Sequence, residues 1–344
     1  MSSNPKGVKE IQEIENESLA PSQDPEDALL KPWGEVFESA VVSSEHLNDV
    51  TIPKRQDLVG KWFKEGDLGF ICAQRGVGKT HLSMMLANAL AGPTPHIGPW
   101  DCPGNIPVLY VDGEMPLDDI RHRDRAYLNV EAESSVQYLN HEVVFKESAR
   151  EMNLADPIFQ QEILSFCMNK GIKAVFFDNL SSLASGMREN DADDWEKVKP
   201  WLLRFRRAGI AVVIVHHAGR SGKPRGTSKR EDDTFWVIEL EDDPDESSEG
   251  ARFKLRFSKN RNDPGKNQVL SWHFRPLDDG IIEPTYKILD PEEDFIELIR
   301  SGVCRCTDLA DAMGWKTPRV SKLAKRLQKQ GRIEIENGRY RIAG

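Results

Sequence analysis

A glycine-rich segment followed by lysine and threonine lies in the first third of the chain. Residues 73–80 read AQRGVGKT, in which Gly76 and Gly78 precede Lys79 and Thr80. Glycines in such a loop let backbone N–H groups turn towards one anion, and a helix that starts there adds its positive end. A lysine at this spacing reaches the β- and γ-phosphates of a nucleotide, and the threonine hydroxyl is a ligand for Mg²⁺. The segment predicts a Walker A loop that binds ATP with Mg²⁺, although alanine replaces the first glycine of the pattern.

Carboxylates that could complete this chemistry follow later apolar runs. Asp178 ends the run AVFFD and is the expected second Mg²⁺ ligand. The next residue is Asn179, so the glutamate that orients the attacking water has to come from elsewhere. Glu114, in VDGEMP, is the candidate base, and Asp112 competes for that role. The alternative interpretation of Glu114 is a carboxylate that stabilises a helix N-terminus. His81, directly after the loop, is a further candidate nucleotide contact.

Two histidines and a basic loop follow the longest apolar run, IAVVIV. His216 or His217 could hydrogen-bond a γ-phosphate and sense its hydrolysis; a structural role is the alternative, and the lack of a third ligand nearby disfavours a metal site. The loop at 218–233 is rich in glycine and carries five Lys and Arg residues. It predicts contacts with a DNA backbone, with Arg225 and Lys229 as candidates, or else a solvated surface loop.

A second pair of cations lies in the segment FSKNRNDPG. Lys259 and Arg261 are two residues apart on an extended chain, so both side chains point the same way. Because Lys79 already serves the phosphates of its own chain, we expect these cations to complete the site of a neighbouring subunit as trans-acting fingers. Surface cations without such a role are the alternative.

The elements that must position these residues are short apolar runs that alternate with helical patterns. The predicted strands cover 68–73, 107–112, 174–178 and 210–216, and the clearest helical patterns cover 81–91 and 193–208. Strands that are apolar on both faces and alternate with helices predict an α/β fold with an open, mostly parallel, doubly wound sheet. Two runs after residue 250, at 253–258 and 269–274, predict an antiparallel extension.

The last part of the chain predicts three helices and a hairpin. Apolar residues recur at helical spacing: Phe295, Ile296 and Ile299, then Leu309, Ala310 and Met313, then Val320, Leu323, Ala324 and Leu327. Beside the third stripe lie the cations Arg319, Lys322, Lys325 and Arg326, and RIEIENGRYRI then alternates around Asn-Gly. The pattern resembles a winged helix-turn-helix, which implies a third helix in the major groove of duplex DNA. A winged helix that contacts protein is the alternative.

Length and charge indicate how these parts are organised. The chain has 344 residues and a net charge of −10, with 11 acidic against 3 basic residues in 1–50 and 11 basic against 5 acidic residues in 295–344. We predict an acidic, largely flexible arm over 1–50, an ATPase domain over 51–288 and a winged helix-turn-helix domain that binds DNA over 291–344. The arm either is passive or docks a partner.

The same composition excludes other classes of protein. The five cysteines are scattered, which argues against a disulfide framework and a structural zinc site. No apolar run approaches the roughly 20 residues of a membrane span, and no secretion signal is apparent. We therefore expect a cytoplasmic protein without a membrane partner.

The order of AQRGVGKT, VDGEMP, VFFDN, VIVHHAG, RGTSKREDD and SKNRNDPG resembles the RecA-type hexameric ATPases. It is most similar to the RepA-like plasmid replicative helicases, and the SKNR segment is also similar to DnaB-type helicases. The resemblance spans about residues 50–288. It implies a RecA-like core, a homo-oligomeric, hexameric ring, ATP hydrolysis at subunit interfaces and single-stranded DNA bound through the ring. Motif by motif, it supports the roles given above to the phosphate-loop, carboxylate, histidine and finger residues.

Together these features predict an ATP-hydrolysing, ring-forming motor that acts on DNA, as a replicative or mobile-element helicase. An ATP-switched DNA-binding regulator or loader without unwinding activity is the first alternative. A recombinase-like filament is the second, because head-to-tail contacts generate both rings and filaments.

Overall fold

The computed structural model describes residues 31–47, 49, 53–93, 96–127, 136–184, 192–217, 232–243, 249–264, 268–278, 280–313, 315–336 and 338–343. The chain divides into two units, Met1–Lys54 and Arg55–Gly344. In the described part of the first unit, helix α1 (Trp33–Ala40) has no buried residue, and the rings of Trp33 and Phe37 stack 5.6 Å apart. Residues 1–30 of the arm predicted over 1–50 lie outside the described residues.

The second unit contains the remaining strands and helices. The strands are β1 (Asp57–Val59), β2 (Phe63–Lys64), β3 (Leu68–Ala73), β4 (His96–Ile97), β5 (Trp100–Asp101), β6 (Val108–Asp112), β7 (Val136–Asn140), β8 (Ala174–Asp178), β9 (Ala211–His217), β10 (Trp236–Asp242), β11 (Ala251–Asn260), β12 (Val269–Pro276), β13 (Ile282–Leu289), β14 (Ile333–Glu336) and β15 (Arg339–Ile342). The helices are α2 (Lys79–Ala91), α3 (Leu117–Tyr127), α4 (His141–Ser148), α5 (Pro157–Asn169), α6 (Leu180–Leu183), α7 (Ala192–Arg207), α8 (Pro291–Arg300), α9 (Cys306–Ala312) and α10 (Thr317–Lys329).

Nine strands form one sheet in the order β13-β12-β11-β10-β3-β9-β8-β6-β7. The six strands from β10 to β7 run parallel to one another, and β11, β12 and β13 add antiparallel partners beyond β10. This arrangement confirms the predicted mixed α/β fold with a large, mostly parallel sheet. The carboxyl ends of the parallel strands share one edge, where ligands bind in open α/β sheets.

Apolar side chains fill both faces of the sheet. One core lies between the sheet and α2 and includes Leu82, Leu86 and Tyr110, all fully buried. The other core, on the opposite face, includes Trp195 and Phe205 of α7. Burial on both faces explains why the parallel strands are continuous apolar runs, since neither face meets water.

Residues after β13 form a small unit of secondary structure with its own core. Helices α8, α9 and α10 and the antiparallel pair β14–β15 bury apolar residues against each other: Phe295, Ile296, Ile299, Leu309, Ala310, Val320, Leu323, Ala324, Leu327, Ile333 and Tyr340. Met313 is only partly buried. Asp290 caps α8 through its carboxylate, which accepts hydrogen bonds from the backbone N–H groups of Glu292 and Glu293. No described helix is long and apolar enough to cross a bilayer.

Candidate active site

The phosphate loop connects β3 to α2 at the carboxyl edge of the sheet. Gly76 and Gly78 take positive φ angles of 81° and 114°, which L-residues with a side chain rarely adopt. A Cβ on Gly78 would lie 2.7 Å from the ring of Phe253 on β11, whereas nothing lies within 4 Å of one on Gly76. Glycine is therefore required at Gly78 by both conformation and space, and the N-terminus of α2 faces the loop that these glycines form.

Lys79 is the first residue of α2 and is almost fully buried. Its Nζ donates hydrogen bonds to the backbone oxygens of Ala73, at 3.0 Å, and Gln74, at 2.7 Å. Burial lowers the pKa of Lys79, and the negative charge of Asp178 opposes that effect. The lysine thus spans the mouth of the loop, where a phosphate group would replace the carbonyl oxygens as its partner.

Asp178 ends β8 and is buried beside the phosphate loop. Its carboxylate accepts a hydrogen bond from Tyr110 Oη at 2.7 Å, and Thr80 also hydrogen-bonds it. Burial raises the pKa of Asp178, and the bonds from Tyr110 and Thr80 oppose that rise. Ser83 Oγ lies 2.7 Å from Tyr110 Oη and extends the network into α2. The expected Mg²⁺ ligands, Thr80 and Asp178, are therefore in direct contact.

The two carboxylates that competed for the role of base lie in different surroundings. Asp112 is 1% exposed, and its Oδ1 accepts hydrogen bonds from the backbone N–H groups of Glu114, at 2.9 Å, and Met115, at 2.6 Å. Burial raises the pKa of Asp112 to about 6 against those bonds. Glu114 is exposed, and its carboxylate accepts a hydrogen bond from Asn179 Nδ2. Asp112 holds the turn, and Glu114 is the carboxylate placed to contact water.

One cavity of about 310 Å³ brings most of the sequence-predicted residues together. Its lining includes Gly76, Gly78, Lys79, Thr80, His81, Asp112, Glu114, Asp178, Asn179, His217, Arg75 and Arg123. Because β9 lies between β3 and β8, its end places His217 between the phosphate loop and the carboxylate of Asp178. His216 is 2% exposed and is not part of this lining. The geometry therefore favours His217 over His216 as the γ-phosphate sensor.

His81 contributes to the wall of the cavity from the first turn of α2. Its Nδ1 hydrogen-bonds the hydroxyl of Tyr127 on α3. Burial and, to a smaller extent, the charge of Arg123 lower the pKa of His81 to about 4. A neutral imidazole at physiological pH brings no positive charge to a phosphate, so His81 is placed to shape the wall.

The donor set fits ATP with Mg²⁺. A threonine hydroxyl and a carboxylate are the hard oxygen ligands that Mg²⁺ takes from proteins, with water and phosphate oxygens completing its shell. Thr80 and Asp178 supply those two oxygens, and Lys79 supplies the cation for the phosphates. In the described part of the chain, no group of three or more His, Cys, Asp or Glu residues could hold another metal ion.

The predicted finger residues lie far from the phosphate loop of their own chain. Along β11, Ala251 lines the cavity, whereas Lys259 pairs with Val237 at the start of β10. Eight residues of extended strand separate Ala251 from Lys259, about 26 Å at 3.3 Å per residue. Lys259 Nζ and Arg261 Nη2 lie 3.4 Å and 2.6 Å from the backbone oxygen of Asp232. The structure does not bring these cations into the cavity, so they cannot act on a phosphate of the same chain.

The predicted DNA contacts fall into two groups. Arg225 and Lys229 lie outside the described residues. The other four, Arg319, Lys322, Lys325 and Arg326, are exposed on α10. The guanidinium of Arg319 stacks 3.8 Å over the ring of Trp315, and Arg326 forms an ion pair with Glu292 of α8. Lys322 and Lys325 are the most available cations of this face.

Tyr110 and Asn179 hydrogen-bond candidate site residues, a role that the sequence did not reveal. Tyr110 lies within the apolar run VLYVD, which predicts only a buried strand. Asn179 occupies the position after Asp178 where a catalytic glutamate could stand, which predicts no role for the asparagine itself. Both act across strands, because β6 and β8 pair directly and place Asp112 opposite Asp178. A sheet order inferred from the sequence is the signal that could have found them.

Comparison with known proteins gives a family match and a distant likeness of structure. The model of an AAA domain family (AAA_25) matches residues 35–223, more than half of the chain. No curated protein sequence matches. Among solved structures, a KaiC-like protein from the hyperthermophilic archaeon Pyrococcus horikoshii OT3 has 16% identity and a TM-score of 0.45 over 65% of this chain and 91% of its own. The flagellar accessory protein FlaH from Methanocaldococcus jannaschii has 13% identity and a TM-score of 0.42 over 66% of this chain and 90% of its own.

Proposed function

The chain belongs to the AAA domain family, and on this premise we propose that it hydrolyses ATP in an oligomeric ring and uses the energy to act on DNA, as a replicative or mobile-element helicase. The observation that supports the proposal most strongly is the cavity at the carboxyl edge of the sheet. Lys79, Thr80, Glu114 and Asp178 line it together, although they come from three separate segments of the chain. Each has the side chain that one step of phosphoryl transfer needs.

Hydrolysis requires a water molecule in line with the bond to the γ-phosphate. Glu114, held by Asn179, orients that water and accepts its proton, while Lys79 stabilises the negative charge of the phosphates. Thr80 and Asp178 would hold Mg²⁺, which neutralises further charge on the phosphate oxygens. His217, at the end of β9, would hydrogen-bond the γ-phosphate, and loss of that bond on hydrolysis would signal to the segment that follows.

The assembly follows from the distance between the cavity and the finger residues. Lys259 and Arg261 lie at the end of the sheet away from the phosphate loop, so a neighbour bound head-to-tail is the partner they could complete. Repeated head-to-tail contacts close into a ring when the rotation allows. A hexamer is the state that the motif resemblance implies.

Contact with DNA rests on the cations outside the ATPase core. The exposed face of α10, with Lys322 and Lys325, is suited to the phosphates of a duplex, and α8 to α10 with β14–β15 have the element order of a winged helix-turn-helix. Single-stranded DNA would pass through the ring along the basic segment that includes Arg225 and Lys229.

Strand displacement tests the helicase proposal. A forked DNA duplex with one labelled strand is incubated with the full-length protein and ATP, with Glu114→Gln as the inactive control. Release of the labelled strand by the wild type alone supports a helicase. ATP-dependent binding to the fork without release, at any protein concentration, contradicts it and supports an ATP-switched regulator or loader.

A further inference from the structure

The segment that follows β11 carries the proposed finger Arg261 and is hydrogen-bonded on both sides of that residue. The backbone N–H of Arg261 donates a hydrogen bond to the backbone oxygen of Phe235, at 2.8 Å. Asn260 Oδ1 accepts a hydrogen bond from the backbone N–H of Asp263, at 3.0 Å, which closes a turn around Arg261 and Asn262. The exposed side chain of Arg261 therefore projects from a backbone that hydrogen bonds hold in place.

Asn262, the residue after Arg261, connects this segment to a distant part of the chain. Its Nδ2 donates hydrogen bonds to Asp67 Oδ2, at 2.7 Å, and to the backbone oxygen of Trp62, at 2.9 Å. Its Oδ1 accepts a hydrogen bond from Arg55 Nη2, at 3.3 Å. All three partners lie within residues 55–67, the segment that leads into β3. The amide thus uses both of its N–H donors and its oxygen on one segment.

Asp67, the carboxylate that Asn262 contacts, is 1% exposed and directly precedes β3. It also accepts hydrogen bonds from Arg55 Nη1, at 2.6 Å, and from the backbone N–H of Lys64, at 2.9 Å. A buried carboxylate is tolerated only when it is paired and hydrogen-bonded, so these contacts hold Asp67 in one orientation. Asn262 is therefore bonded to a fixed acceptor at the start of the strand whose other end leads into the phosphate loop.

The second partner of the finger segment, Phe235, is held by two cations. The guanidinium carbons of Arg55 and Arg206 each lie 4.8 Å from the centre of its ring. Arg55 thus contacts both Asp67 and the residue whose backbone oxygen accepts the hydrogen bond from Arg261. One connected network therefore fixes the backbone on either side of the finger.

A finger cation works only if it meets the phosphate in the correct place. Displacement of a catalytic group by about 1 Å can lower the rate about a hundredfold. The side chain of Arg261 is long and exposed, so the position of its backbone decides where the guanidinium can reach. We propose that Asn262, held by Asp67, is a positioning residue that directs Arg261 to the phosphate bound by a neighbouring subunit. The inference rests on the proposed role of Arg261 in trans.

Steady-state ATP hydrolysis is compared among the full-length wild type, Asn262→Ala, Arg261→Ala and the double variant. Asn169→Ala, at an exposed asparagine at the end of α5, is the matched control. Hydrogen exchange of the backbone amide of Arg261 is measured in the same proteins and does not depend on catalysis. Asn262→Ser, which keeps one donor on a shorter side chain, serves if the alanine variant does not fold.

Asn262→Ala is expected to lower kcat about tenfold or more with KM unchanged, because it moves the finger and removes no contact to the nucleotide. The amide of Arg261 should exchange faster, and the double variant should lose no more turnover than Arg261→Ala alone. Mixing with Lys79→Ala should restore part of the turnover of Asn262→Ala, whereas mixing with Arg261→Ala should not. Asn262→Ser should show the same pattern with a smaller loss, and Asn169→Ala should match the wild type.

A kcat or an exchange rate in Asn262→Ala that equals the wild-type value, while Arg261→Ala is inactive, would overturn the positioning role and leave the finger proposal intact. Additive losses in the double variant, or no recovery on mixing with Lys79→Ala, would overturn it as well. Wild-type turnover of Arg261→Ala would instead contradict the finger proposal, and the positioning role with it. The failure of each proposal therefore has its own signature.

Discussion

The carboxamide of Asn179 donates a hydrogen bond to the carboxylate of Glu114, and its oxygen accepts one from the backbone N–H of Ser182 in α6. Asn179 is 2% exposed and directly follows Asp178. One buried side chain therefore connects the candidate base, just after β6, with the end of β8, where the proposed Mg²⁺ ligand Asp178 lies. This contact makes Asn179 a positioning residue for Glu114.

We expect Asn179→Ala to lower kcat about tenfold with little change in KM, because it frees Glu114 without removing a contact to the nucleotide. Glu114→Gln should lower kcat by about a hundredfold or more, since it removes the base itself. In the double variant the loss should be no greater than for Glu114→Gln alone. Additive losses in steady-state ATP hydrolysis would show that Asn179 acts independently of Glu114.

The finger residues should act between subunits. Lys79→Ala and Arg261→Ala proteins are each expected to be nearly inactive, the first in nucleotide binding and the second in stabilising charge on a neighbour's phosphate. Mixed rings contain some interfaces with an intact Lys79 facing an intact Arg261, so mixing should restore part of the ATP turnover. If the mixture is no more active than the two variants alone, Arg261 does not work in trans. Lys254→Ala, on β11, which ends just before Arg261, is a matched control.

Asp112 should make the stability of the protein depend on pH. Its pKa is about 6 in the folded protein and near 3.8 when unfolded, so the folded state binds more protons between these values. The free energy of unfolding should therefore fall as the pH rises from about 4 to 6, by up to about 3 kcal/mol at 1.4 kcal/mol per pKa unit. Asp112→Asn removes this contribution to the pH dependence of the free energy of unfolding.

Urea unfolding of the wild type and Asp112→Asn at pH 4.5 and pH 7 checks this expectation. The difference in unfolding free energy between variant and wild type should shift in favour of the variant at pH 7. A difference that stays constant across the two pH values would mean that the buried carboxyl keeps an ordinary pKa.

The cations of α10 should contribute to duplex binding through counterion release. We expect Lys322→Ala with Lys325→Ala to weaken duplex affinity and to reduce the slope of log K against log salt by up to about 2, since each lost phosphate contact removes about 0.9. Arg300→Ala, at an ion-paired cation on α8, is the control and should leave the slope unchanged. An unchanged slope in the double variant would instead favour a protein partner for this face.

The central strands could be predicted because they are apolar on both faces and are followed by, or end in, charged and polar residues of recognisable motifs. Predicted and observed bounds agree within one residue for β3, β6, β8 and β9, and the antiparallel pair β11–β12 is also observed. Three members of the sheet, β7, β10 and β13, were not predicted. β10 (WVIELED) carries acidic residues towards its end, and β7 (VQYLN) and β13 (IEPTYKIL) are partly exposed strands at the two edges of the sheet with little apolar pattern.

The candidate site was predictable one motif at a time but not as an arrangement. Lys79, Thr80 and Asp178 belong to local patterns with a known spacing from strand and helix. The choice of Glu114 over Asp112 depends on which carboxylate accepts hydrogen bonds from the backbone of the turn. The choice of His217 over His216 depends on the order of the strands. Neither property is encoded in a local run of residues.

Coupling between ATP hydrolysis and DNA is the central claim, and the rate of ATP turnover with and without single-stranded DNA tests it most directly. The wild type should hydrolyse ATP at a rate that single-stranded DNA raises several-fold, and Lys79→Ala should be inactive in both conditions. Turnover that is lost in Lys79→Ala but unchanged by DNA would contradict a DNA motor, and would leave an ATPase that controls a partner or a duplex site instead.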